Sequence, residues 1–119
     1  YIHKIEEDRE AMKIAVNRAL EAANKDKSLV ARNYLNYELG ERAALLNLKP
    51  EMAVDFLEKY IKNYNYKDLK SPAWAHFHIA KIQASKNNQD QALSHINKAL
   101  ASKFNFPEAE KLKQQILEM

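Results

Sequence analysis

Apolar residues recur along this chain at the three- and four-residue steps of a helix face. Met12, Val16, Ala19, Leu20 and Ala23 share a face in a first segment, and Leu35, Leu39, Ala43 and Leu46 in a second. Ala53, Leu57, Tyr60 and Ile61 form a third stripe, Ala75, Ile79 and Ile82 a fourth. Ala92, Ile96, Ala99 and Leu100 form the fifth, and Ala109, Leu112 and Ile116 the last. No stretch alternates with the period of two that a half-buried strand requires. Proline is tolerated at the first helical position, where the amide has no partner anyway. Ser71-Pro72 adds a capping hydroxyl to such a proline, and Lys49-Pro50 and Phe106-Pro107 are read in the same way. Asp26 or Ser28 caps one more helix and Asn88 another. These signals predict six helices, over about 4–24, 28–46, 50–63, 72–86, 89–102 and 107–118. The fold class is therefore all-α. Linkers are short except at 63–71, which predicts antiparallel neighbours.

The segments also echo one another. Ala15-Val16-Asn17-Arg18-Ala19-Leu20 returns as His95-Ile96-Asn97-Lys98-Ala99-Leu100, 80 residues on. Ala53, Leu57 and Ile61 lie 39 residues before Ala92, Ile96 and Leu100. A helix pair thus repeats, and each pair leaves an apolar flank that stacking covers.

Ile79-Ala80, Ala92 and Ala99-Leu100 in one pair, with Leu39-Gly40, Ala53 and Tyr60-Ile61 in the other, resemble the tetratricopeptide repeat (TPR) family. Its pattern sets a small residue after an apolar one in the first helix and an alanine in the opening of the second. Close approach of two helices accounts for a glycine inside a helix, where it costs about 1 kcal/mol relative to alanine. The resemblance covers about 28–106: repeats over 28–63 and 72–102, with 4–24 as the second helix of an incomplete repeat and 107–118 as a capping helix. The loop Asn47–Glu51 and the connector 63–71 are longer than the family's, and His76 and Gln83 stand where it often has tryptophan and tyrosine. The wording Tyr37-Glu38-Leu39-Gly40 and Pro72-Ala73-Trp74-Ala75-His76-Phe77 is similar to bacterial members. The resemblance implies a right-handed superhelix of antiparallel helix pairs. Its concave groove, lined by the first helix of each pair, would hold a partner's peptide or helix. It also implies a scaffold part of a longer bacterial protein, cytoplasmic or periplasmic. The start at Tyr1 is read as that of an excised or processed piece.

Composition removes several alternatives. A chain of 119 residues has the size of one domain. With no cysteine, disulfides and thiolate metal sites are excluded, and with one glycine so are glycine-rich phosphate loops. Apolar residues at 46% and charged ones at 29% suit a folded chain. No apolar run approaches the roughly 20 residues of a membrane span. The net charge of +3 is interspersed, and lysine outnumbers arginine fifteen to four. Both points argue against nucleic acid as the partner. Lys59, Lys62, Lys67 and Lys70 form the longest basic bias, and carry the alternative of a nucleic-acid accessory domain.

Once the core stripes are set aside, Tyr34, Tyr37, Glu41 and Ala44 or Leu45 remain on the second helix, and Trp74, Phe77, Lys81 and Ser85 on the fourth. In the family's register these take matching groove positions, with four aromatics, one acid and one lysine among them. Aromatic side chains bury much area at small entropic cost, which suits peptide recognition. The same aromatics serve equally well to pack on 4–24 or on the next repeat. Glu41 would repel an acidic tail, which disfavours the chaperone C-termini that some of these domains grip. His76 and His78 are two apart and cannot share a helix face, so no metal site is expected. No nucleophile elbow or His-Glu-x-x-His motif occurs, and no cofactor or enzymatic activity is expected. The expected role is a non-catalytic protein-interaction module. The alternative is a structural spacer, or a self-association unit acting through the incomplete repeat at 4–24.

Overall fold

The computed structural model describes residues 2–25, 33–65 and 70–119. Among them are six helices and no strand: α1 (Ile2–Lys25), α2 (Asn33–Leu45), α3 (Pro50–Lys62), α4 (Pro72–Ser85), α5 (Gln89–Ser102) and α6 (Pro107–Leu117). The all-α expectation holds. The caps expected at Asp26 or Ser28, the first residues of segment 28–46, and Lys67 lie outside the described residues.

The hairpin turns explain why α2 and α4 stop where they do. After α2, Asn47 takes φ 55°, its N–H reaching Ala44 O at 3.2 Å while Leu48 N–H reaches Ala43 O at 2.8 Å. After α4, Asn87 takes φ 58°, its N–H reaching Ala84 O at 3.0 Å while Asn88 N–H reaches Gln83 O at 2.9 Å. These are two Schellman motifs closed by asparagine, a residue whose short polar side chain tolerates the left-handed region. They repeat each other 40 residues apart. The next helix then restarts from Lys49 O to Ala53 N and from Asn88 O to Ala92 N, both at 3.0 Å. The loop 46–49 is one residue longer than 86–88, which sets the 39-residue offset of α3 and α5.

All three prolines open their helices as expected, and one of them follows a side-chain cap. Ser71 Oγ accepts from Ala73 N–H at 3.2 Å. Lys49 and Phe106 carry no acceptor oxygen, and neither caps through its side chain. Asn88 does not cap α5 either, because its Nδ2 is turned back to Gln83 Oε1 at 3.3 Å.

Helix directions follow from the contacts. Asn33 Nδ2 at the start of α2 donates to Tyr60 O near the end of α3, and Lys86 after α4 reaches Glu51 at the start of α3. α2 and α3, and α3 and α4, are therefore antiparallel, and α2 and α4 run parallel, side by side. α4 packs on α2, α3, α5 and α6. Central placement explains why Ala73, Ala75, His76, His78, Ile79, Ala80 and Ile82 are all buried, almost around its circumference. One core cluster gathers Leu20, Tyr37, Leu57, Tyr60 and Ile79, the other Ala80, Ile96, Phe106 and Ile116, with Trp74 touching both.

Gly40 lies at the α2–α3 crossing. A Cβ built there falls 2.6 Å from Leu57 Cγ and 3.2 Å from Ala53 O. The equivalent Ala80 is fully buried over Ala92 and Ile96. Both positions need small residues, as their sequence placement implied. α1 differs from expectation. Val16, Leu20 and Ala23 are buried, but Met12 and Ala19, expected to face α2, are exposed. α1 packs on α2 alone to any extent, and one neighbour covers only a narrow stripe.

Candidate functional site

The six candidate residues sit on adjacent helices but in three different environments. Tyr37 is buried, with 2% of its surface exposed, because α2 is covered by both α3 and α4. Its ring lies 5.1 Å from that of Tyr60. The Tyr37 hydroxyl donates to Glu41 Oε2 at 2.6 Å, and His78 Nε2 reaches the same oxygen at 3.2 Å. A carboxylate only accepts, so His78 carries its proton on Nε2 in this arrangement. The expectation that Tyr37 presents its ring to a partner is corrected: the ring is core, and its hydroxyl ties Glu41 and His78 together. Burial, then the Glu41 hydrogen bond, push the Tyr37 hydroxyl well above the usual tyrosine range. Burial lowers His78, with Glu41 pulling the other way. His78 Nδ1 is buried with no hydrogen-bond partner among the described residues.

Trp74 and Phe77 are half-buried on α4, their rings 6.5 and 5.5 Å from that of His78. Phe106, leading into α6, lies 4.6 Å from the Trp74 ring and 5.5 Å from that of Phe77. Lys70 Nζ sits 6.0 Å over the Trp74 ring. Much of this aromatic area is thus used inside the molecule.

Tyr34 and Lys81 are exposed. Lys81 lies where two clefts adjoin. One, of about 230 Å³ between α2 and α4, is lined by Ala44, Leu45, Asn47, Lys81, Ile82 and Ser85. The other, of about 300 Å³ between α4 and α6, is lined by Lys81, Ala84, Ser85, Leu112, Ile116 and Met119 among others. Lys81 and Ser85 belong to both. Leu45, at 58% exposure, and Met119, at 49%, offer open apolar surface at the two ends. A hollow of about 450 Å³ between the end of α1 and α3 is lined by Lys49, Glu51, Asp55 and Lys59, whose charges balance.

Sequence reading set Leu45 and Ser85 in the stripes left over from the core, and it missed His78 and Phe106. The 40-residue offset pairs Leu45 with Ser85. His78 and Phe106 carried no such signal, since each acts through residues distant in the chain. Among the described residues no group of three or more His, Cys, Asp or Glu converges as for a metal ion, and no helix is long and apolar enough to cross a membrane.

No family model matches the chain, and no curated protein or solved structure matches it either.

Proposed function

We propose that the chain is a non-catalytic interaction module of the tetratricopeptide kind, which takes a segment of another protein along the face formed by α2, α4 and α6. The observation that carries this reading is the pair of adjoining clefts meeting at Lys81 and Ser85. A shallow, mostly apolar channel with a cation at its middle suits a short helix or extended segment that has apolar side chains about an acidic group. Glu41 accepts from Tyr37 and His78, so Lys81 sets the polarity of this face. The 40-residue repetition of turns supports the resemblance to helix-pair repeats. A displayed peptide library panned against the protein tests the reading. Selected peptides should bind Lys81→Glu and Leu45→Asp at least about tenfold more weakly than the parent, about 1.4 kcal/mol each. Both residues are exposed, so both variants should keep the parent's helical circular dichroism. Equal binding by folded variants would move the site off this face.

A self-association role has its own observation. Met12 and Ile14 on α1 are exposed at 57% and 47%, and Met12 borders a cleft of about 360 Å³ lined by Ala15, Val16, Ala19 and Leu39. Apolar surface grouped in this way marks an interaction patch. Sedimentation should show association that Met12→Glu abolishes, and a strict monomer at high concentration refutes this role.

A further inference from the structure

His76 on α4 and His95 on α5 face each other across the second hairpin, away from the α2–α4–α6 clefts. Their Nδ1 atoms are 3.0 Å apart, and their rings, 5.3 Å between centroids, are inclined by 32°. The two helices beneath them pack on each other through Ala80, Ala92, Ile96 and Ala99. The packing of the two helices thus sets the two imidazoles within hydrogen-bonding distance. His76 is 9% exposed and His95 more open, which puts the pair at the edge of the core with one side toward water.

Two facing ring nitrogens have two uses: they share one proton, or they hold one cation. The second use needs both rings neutral near neutral pH, each with its remaining proton on Nε2, so that both Nδ1 lone pairs are free. Burial, then the charges of His95 and Lys98, bring His76 down to about 4, and burial with Lys98 lowers His95 as well. Histidine in its neutral form is the commonest metal ligand.

We propose that His76 and His95 form a two-histidine site for a divalent copper or nickel ion, clipping α4 to α5. At a metal–nitrogen distance of about 2 Å, two nitrogens 3.0 Å apart subtend about 95° at the ion. That is the angle between neighbouring ligands in square-planar or octahedral geometry, which copper and nickel adopt, and is tighter than zinc's tetrahedron. Each ring turns modestly to aim its lone pair at the ion, and water fills the remaining positions. Lys98, one turn beyond His95, weakens the site by repulsion.

The test uses the untagged chain carrying His3→Ala, so that no other histidine near the start of the chain contributes. Substoichiometric Cu²⁺ should broaden the NMR ring signals of His76 and His95 before that of His78. Calorimetry should give one ion per chain. His95→Gln should weaken binding at least about tenfold, as loss of a direct ligand costs no less than loss of an outer-shell partner. Lys98→Gln should tighten it. Cu²⁺ should raise the Tm of the parent and not that of His95→Gln, whose half-exposed position preserves the fold. Simultaneous broadening of all three histidines, or undiminished Cu²⁺ binding by folded His95→Gln, overturns the proposal and leaves the pair as a plain hydrogen bond.

Discussion

Gly40 poses two opposed effects within one side chain. Alanine there gains about 1 kcal/mol of helix propensity. Its Cβ, however, meets Leu57, which is fully buried and has nowhere to go, and the backbone oxygen of Ala53. Overpacking a core in this way costs about 1–3 kcal/mol, so the clash wins. Urea melts should show Gly40→Ala less stable than the parent by about 1 kcal/mol, and Ala80→Leu by about 1–3 kcal/mol. Unchanged midpoints would mean that the two helix crossings are looser than described. Tyr37→Phe isolates a different interaction. It keeps the ring in its core position and removes the hydroxyl that donates to Glu41. Hydrogen bonds to charged groups contribute about 1.5–3 kcal/mol, and Glu41, partly open to water, recovers some of that. A loss of about 1–2 kcal/mol is expected, with the helical spectrum intact. A neutral result would show that the hydroxyl serves neither Glu41 nor His78.

The helices owe their ends more to backbone hydrogen bonds than to side-chain caps. Asn47 and Asn87 hold the left-handed conformation that closes α2 and α4. Alanine in that conformation is disfavoured by roughly 1–2 kcal/mol, whereas glycine is not. Asn87→Ala should therefore lower stability by about 1 kcal/mol, and Asn87→Gly should leave it level or slightly raised. The same ordering is expected at Asn47, because its turn has the same hydrogen bonds. Thermal melts of the four variants check both turns together. Equal effects of alanine and glycine at either turn would contradict the Schellman geometry. Ser71→Ala removes the one side-chain cap at a helix-starting proline and should cost about 1 kcal/mol.

Three histidines packed into the helical array make the fold sensitive to acid. His76, His78 and His95 are all held below the usual histidine value, His76 at about 4. The unfolded chain takes up these protons near pH 6.5, whereas the folded chain resists until the pH is lower. Their contribution is present in full above about pH 6.5 and is lost as the pH falls toward 4. Lys98 faces His76 and His95, while Lys81 and Lys70 act on His78, and all three lysines deepen the effect. Glu41 opposes it at His78. After allowance for solvent on the open side of the pair, His76 accounts for about 1–2 kcal/mol. Stability measured from pH 7 to pH 4 should fall, and the fall should be shallower in His76→Gln. A curve that is flat over this range would contradict the burial of all three rings.

The six helices among the described residues, their approximate limits and the small-residue crossings at Gly40 and Ala80 were legible in the chain. Helical periodicity, proline at first positions and the 39- and 80-residue echoes are local or repetitive signals, and they survive without knowledge of neighbours. Which face of each helix meets water was less legible. α2 has partners on two sides, so Tyr37 enters the core, while α1 has essentially one, so Met12 and Ala19 stay outside. A stripe of apolar residues states that a face is buried but not how many neighbours bury it. The pairings of Glu41 with His78, of His76 with His95 and of Trp74 with Phe106 join residues 37, 19 and 32 positions apart. No periodicity links such residues. Their meeting depends on how the hairpins stack, and that stacking follows from side-chain volumes at every crossing at once, which no short window of sequence contains.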